Sequence, residues 1–164
     1  MRPVESALMM LKRIPRSGWV ELGVRRPENV ASHCLSLAVL VMVEAERKGL
    51  DCLKAVKMAL LHDIPESYTG DLTPKIKKKI PRKILDNVEL SLLKQLFTDF
   101  GVKQAEDLIN LYKEYLRGVS PEAKLVHRLD KVEMMLEASW LASNKVVDRR
   151  KLERHGFIPR RRRG

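Results

Sequence analysis

An all-α fold is predicted by three features of this 164-residue chain. Apolar residues recur with helical spacing almost throughout, and no stretch keeps the two-residue alternation of a strand long enough to build a sheet. The composition is rich in Leu, Ala, Val, Lys and Glu, with only 5% aromatic residues, a balance suited to packed amphipathic helices. The length fits one domain with its own core.

The elements follow in order. Val4 to Arg13 can form a first helix, and Pro15 to Pro27, with two prolines and two glycines, reads as the loop after it. From Glu28 to Lys48 the apolar residues Val30, Leu37, Val41 and Ala45 share a face, and Gly49 supplies a C-terminal stop. Asp51 can cap a helix through Ala55, Ala59 and Leu60 towards Pro65. Glu66 to Pro74 reads as a loop, followed by a basic stretch from Lys75 to Lys83. A helix is expected from about Pro81 to Phe100, a break at Gly101, and another helix over roughly Gln104 to Arg117. The last long helix should begin after Ser120, with Ser120 as cap, Pro121 in the first turn and Asp130 in its middle. Residues 148–164, dense in arginine and ending in Arg160 to Arg163, read as a basic tail or a short surface helix.

Charge and cysteine usage narrow the setting without naming a partner. A net charge of +11 attracts phosphate metabolites, nucleic acid and anionic membranes alike. The N-terminal stretch is interrupted by Glu5, Lys12 and Arg13, unlike a signal peptide, and no apolar run approaches the roughly 20 residues of a membrane span. Cys34 and Cys52 form no CxxC pair, so a reduced, cytoplasmic setting is expected.

The residues with the most chemistry are His62 and Asp63, adjacent inside the apolar run from Ala59 to Ile64. An imidazole and a carboxylate are costly to bury uncompensated, and a divalent metal compensates both. His33 and Asp130 lie within two other predicted helices, so a three-helix bundle would supply two nitrogens and two carboxylates. That mixed set suits Mn, Co, Ni, Fe or Zn better than Mg or Ca. Glu66 lies four residues after His62, on the same side of a helix. Taken singly, His33 could be a core histidine and Asp130 a surface partner of Lys131 or Lys124; the four residues together favour one metal site.

The longer pattern resembles a known family. His33, His62-Asp63 and Asp130 match the H…HD…D signature of the HD-domain metal-dependent phosphohydrolases. Arg16-Ser-Gly-Trp19, Pro27-Glu-Asn-Val-Ala-Ser-His33, Leu61-His-Asp-Ile-Pro-Glu66 with Gly70-Asp71, and Leu129-Asp-Lys-Val-Glu133 look like the branch containing the 5'-deoxynucleotidases and their eukaryotic HD-domain-containing relatives. The resemblance covers about residues 5 to 140 and implies a helical HD domain over residues 1–147, followed by the basic tail.

It also implies hydrolysis of (deoxy)nucleoside 5'-monophosphates to nucleoside and phosphate, with a metal-activated water as nucleophile. His33, His62, Asp63 and Asp130 would be the metal ligands, and Glu66 would orient or deprotonate the water. Arg16 would contact the phosphate, while Trp19 and Asp71 would shape the nucleoside side. The residues leave other readings open: Trp19 as a packing anchor, Arg16 as part of a basic patch with Arg13, Arg25 and Arg26, Asp71 as a turn residue, and Glu66 as a helix end. His127 and His155 read as surface residues, and Met134, Met135 and Leu136 as core packing.

Two further function classes are in view. One is an HD hydrolase of nucleoside triphosphates, cyclic nucleotides or guanosine polyphosphates, the last disfavoured because Ser67 stands where such relatives carry an acidic residue. The other is a nucleic-acid-binding protein using Lys75 to Lys83 and Arg160 to Arg163, disfavoured by the scarcity of aromatics for base stacking. Relatives of this kind are commonly dimers, so a homodimer is expected.

Overall fold

Helix boundaries follow the capping signals closely in the computed structural model, which describes residues 2–99 and 105–159. Helix α1 spans Pro3–Leu11, α2 Ser17–Glu21, α3 Val30–Lys48, α4 Cys52–Leu61 and α5 Glu66–Thr69. These are followed by α6 Pro74–Lys77, α7 Arg82–Asp99, α8 Ala105–Arg117, α9 Pro121–Ser143 and α10 Arg149–His155. No strand occurs among the described residues, only an isolated bridge between Pro15 and Asn29. The fold is all-α, as its sequence pattern implies.

Local chemistry explains the ends. Asn29 accepts a hydrogen bond from the Ser32 amide at the start of α3, Asp51 accepts from Lys54 and Ser120 from Ala123, each satisfying an amide that the first helical turn leaves open. Gly49 closes α3 in the left-handed region at φ 64°, where a side chain would be strained.

The segments expected as loops contain short helices. The stretch from Pro15 to Pro27 holds α2, and Glu66 to Pro74 holds α5 and the start of α6. Helices of four or five residues show no periodicity and do not stand alone in water, so tertiary contacts hold them. Trp19 and Leu22 are buried with the last part of α9, whereas α6 has its own Thr73 cap and Pro74 start. The break expected at Gly101 and the helix start near Gln104 lie outside the described residues.

Helices α3, α4 and α9 pack together at the centre, with α8 against α4 and α9, and α7 against α8 and α1. Their main core includes Leu37, Val41, Met58, Leu96, Tyr112 and Val126. A second core gathers Trp19, Leu22, Ala138, Leu141, Leu152 and Ile158. Residues 149–155 thus form a helix whose Leu152 is fully buried, while Arg160 to Arg163 lie outside the described residues. Met134 is half-buried against this core, but Met135 and Leu136, expected inside, are exposed. The inward face of α9 is taken by Asp130, Glu133 and Ala138, which turns those two neighbours outward. No described helix is long and apolar enough to cross a membrane.

Candidate metal centre and active site

His33 lies at the end of the first turn of α3, His62 ends α4, Asp63 follows it, and Asp130 comes from the middle of α9. Packing these three helices brings their polar atoms together. His33 Nε2 lies 3.3 Å from His62 Nε2, 3.3 Å from Asp130 Oδ1 and 3.7 Å from Asp63 Oδ2. His62 Nε2 lies 3.1 Å from the same Asp63 oxygen. His33, His62 and Asp130 each offer an atom to one possible cation position, and all four residues are largely buried apart from Asp130, whose side chain is one-third exposed.

The outer contacts orient the rings. His33 Nδ1 faces Glu133 Oε2 at 2.6 Å, and His62 Nδ1 faces the Ala59 carbonyl at 2.7 Å. A carbonyl can only accept, so His62 Nδ1 carries the hydrogen, and the carboxylate asks the same of His33. Both Nε2 atoms then turn inward. Neutral imidazoles arranged this way present two lone pairs to each other at 3.3 Å, which is unfavourable unless a proton or a cation lies between them. Imidazoles held by a carboxylate or carbonyl at the far nitrogen are the usual supports of metal ligands, so the residues fit a divalent ion.

The electrostatics tell the same story. Burial opposes charge on His33, but hydrogen bonds to Asp130 and Glu133 outweigh it and push its pKa up to about 10. Burial likewise opposes ionisation of Asp63, yet His62, Arg16 and His33 hold it well below the usual carboxylate range. A proton on His33 therefore fills the role that a cation would take over. Glu66 differs: burial and the charges of Asp63 and Asp71 push it up to about 8, against the pull of Lys77 and Arg16. Its Oε1 pairs with Lys77 Nζ at 3.2 Å, while its buried Oε2 has no hydrogen-bond partner.

Arg16 lies beside this cluster, 3.1 Å from Asp63 Oδ2, 3.6 Å from Asp71 Oδ1 and 4.0 Å from Glu66 Oε2. Asp71 accepts hydrogen bonds from the Ser17 amide and hydroxyl, so it fastens the start of α2 while flanking Arg16. Trp19 is 2% exposed, donates its indole N–H to Glu28 and packs against Phe157 with ring centroids 4.6 Å apart. It lines a cavity of about 310 Å³ together with Arg16, Asp71, Asp130, Met134 and Phe157. A wider cleft of about 900 Å³ opens beside His62 and Asp63, with Lys78, Arg82, Asp86 and Glu89 on its walls.

All eight residues singled out in the sequence thus fall in one region. Glu133 and Phe157 were given no role there, and Lys77 only a place in the basic stretch from Lys75 to Lys83. Glu133 lies three residues after Asp130 on one helix, a spacing that points both side chains the same way. Lys77 was hidden in a run of lysines, and nothing in the local sequence links Phe157 to Trp19. Among the residues read as surface, His155 is exposed, but His127 is half-buried and stacks on Tyr115 at 4.3 Å.

A family model described as HD domain matches residues 8–160. The chain belongs to the HD-domain family. Among similar HD-domain proteins is the 5'-deoxynucleotidase HDDC2 of Homo sapiens, 38% identical over 130 residues, covering 79% of this chain and 62% of the human protein. The 5'-deoxynucleotidase hdd1 of Schizosaccharomyces pombe is 32% identical over 137 residues, covering 82% of this chain and 69% of the yeast protein. The chain therefore spans less than two-thirds of the length of its mammalian relatives. A solved structure of a conserved hypothetical protein from Pyrococcus furiosus superposes with a TM-score of 0.73 at 28% identity, covering 93% of this chain and 92% of that one.

Proposed function

We propose that this HD-domain protein is a metal-dependent 5'-nucleotidase that hydrolyses (deoxy)nucleoside 5'-monophosphates to nucleoside and phosphate. The observation that carries the reading is the convergence of two inward-facing imidazoles and the Asp63 and Asp130 carboxylates beside Arg16 and a buried, half-unpartnered Glu66. The names of the human and fission-yeast relatives support it.

His33, His62, Asp63 and Asp130 would hold one divalent transition ion, with Mn, Co, Ni, Fe and Zn all compatible with two nitrogen and two oxygen donors. Such an ion supplies Lewis acidity at the phosphoryl oxygens and lowers the pKa of water. Arg16 neutralises the phosphate by a forked contact. Glu66, whose Oε2 accepts no hydrogen bond and lies 4.0 Å from Arg16, takes the proton of the attacking water as the new P–O bond forms. The 5'-oxygen leaves with the electron pair of the P–O bond that breaks and is protonated to the nucleoside hydroxyl, the proton held by Glu66 being returned in that step. Lys77 keeps the other Glu66 oxygen in place. Asp71 positions Arg16 and the start of α2.

The free cysteines Cys34 and Cys52 accord with a cytoplasmic setting. The exposed Leu35, Val39, Met42 and Val43 on α3 supply an apolar face for a homodimer, which sedimentation would test.

The deciding experiment is phosphate release from ribo and deoxy nucleoside 5'-monophosphates by chelator-stripped protein, with and without added Mn or Co. Metal-dependent release that Asp63→Ala abolishes is expected. Release from nucleoside triphosphates or cyclic nucleotides but from no monophosphate would replace the reading with another HD phosphohydrolase.

A further inference from the structure

The smaller cavity joins two chemically distinct linings. Its polar part includes Arg16, Lys77 and Lys131 together with the Asp63, Asp71 and Asp130 carboxylates, and its less polar part includes Trp19, Tyr115, Met134 and Phe157. With a divalent ion held by His33, His62, Asp63 and Asp130, and with Arg16, Lys77 and Lys131 beside it, the polar part would suit an anionic head, and the apolar part suits an apolar body. Trp19 has little surface to offer that body, because it is 2% exposed and Phe157 lies against it. Phe157 is half-buried and lines the cavity.

Its position is built by the last described segment of the chain. Leu152 and Ile158, on either side of it, are buried in the second core, and Gly156 turns the backbone in the left-handed region at φ 79°. The Phe157 amide donates to the Leu152 carbonyl at 3.0 Å, and Lys151 Nζ donates to the Leu22 carbonyl at 2.9 Å, tying α10 to the chain just after α2. Gly18 leaves room for the ring: a Cβ at that position would meet Phe157 Cζ at 3.0 Å. Tyr115, which lines both cavities, is buried with the His127 ring stacked on it, and Tyr112 of the wider cleft is buried among walls that carry charges of both signs.

We infer that Phe157 is the base-recognition residue of this site, its ring forming the platform on which a nucleobase packs while the phosphate lies beside Arg16. The inference rests on the monophosphatase reading. An aromatic platform stacks any base, so it favours a nucleotide over a phosphate ester of a bare sugar, without selecting one base strongly.

The test compares phosphate release from a deoxynucleoside 5'-monophosphate and from 2-deoxyribose 5-phosphate, which lacks the base. In Phe157→Leu the ratio of kcat/KM for nucleotide over sugar phosphate should fall about tenfold, the loss arising in KM. Phe157→Tyr should restore the ratio. Gly18→Ala, which displaces the ring without removing it, should lower the ratio partway and guards against a Leu variant that fails to fold. An unchanged ratio in the folded variants, or an equal loss on both substrates, would overturn the inference. Wild-type protein that cleaves no nucleotide fails the monophosphatase reading itself and takes the platform with it; an active wild type with an unaltered ratio in the variants fails the platform alone.

Discussion

The two sides of the cavity are held by different forces. On the α3–α4–α9 side, His62, Asp63 and Asp130 each lie within 4 Å of the buried His33 imidazole, and each is tolerable only because of its neighbours. On the α2–α10 side, Trp19, Leu22, Leu152 and Ile158 meet through apolar contact, with hydrogen bonds fastening the edges. Removing one member of the first set leaves the others as uncompensated charge, so the chemical effect should be abrupt. Removing one member of the second leaves a cavity whose cost depends on how far the surroundings relax.

The largest effect expected from this contrast is on metal binding. Stripping the ion, or replacing His62 with Ala, should lower phosphate release by on the order of 10³-fold or more, because the Lewis acid is lost along with the charge compensation. Adding the ion back should restore the stripped wild type and raise its Tm by mass action, by roughly 2.7 kcal/mol of stability at a hundred times Kd. Thermal melts and phosphate assays on the same samples check both; a stripped protein with full activity would break the comparison at its strongest point.

Next comes Glu66→Gln. On the proposed role of Glu66 as proton acceptor, the variant should lower kcat by about 10²- to 10⁴-fold. Calorimetric metal titration should be little changed, because Glu66 is not among the atoms converging on the cation position. Burial and two neighbouring carboxylates already disfavour charge on Glu66, so the neutral amide should leave Tm unchanged or higher. A fall in Tm matching the fall in rate would make Glu66 a structural partner of Lys77 instead.

Glu133→Gln sharpens the boundary between the two sides. Its carboxylate holds His33 Nδ1 at 2.6 Å without entering the inner cluster, and loss of such outer support typically weakens metal binding by about 10- to 100-fold. The expected signature is a higher metal concentration for half-maximal rate with recovery at saturation, read from a metal titration of activity. Failure to recover at saturating metal would place Glu133 in direct contact with the ion or the substrate.

The same contrast explains what the sequence made legible. Buried charge is rare enough to be conspicuous, so His62-Asp63 inside an apolar run, with His33 and Asp130 on other helices, pointed to one site before any geometry was known. Caps are equally local: Asn29, Asp51 and Ser120 each bond an amide three residues on. Apolar contacts carry no such mark, since Phe157 and Trp19 are ordinary hydrophobic residues separated by most of the chain. The short α2 and α5 escape periodicity for the same reason, because their helical state comes from tertiary packing. Glu133 is the intermediate case: its spacing from Asp130 was visible, but its partnership with His33 required the crossing of α3 and α9.

The smallest expected effect on chemistry belongs to Leu152→Ala. Leu152 is fully buried among Trp19, Ala138 and Leu141, so truncation should cost about 2–5 kcal/mol of stability. For a chain of this size that lowers Tm by roughly 2–4 °C for each kcal/mol. Well below the new Tm, metal affinity should stay close to that of the wild type, because the proposed ligands come from α3, the end of α4 and the middle of α9, whereas Leu152 packs in the second core. Nucleotide KM should rise modestly, because α10 carries Phe157 to the cavity. A variant that loses metal affinity in proportion to its stability would show that the two cores unfold as one cooperative unit and that the polar cluster depends on the apolar strap. Melting curves followed in parallel by tryptophan fluorescence, which reports on Trp19 and Trp140, and by release of bound metal would show whether the two transitions coincide or separate.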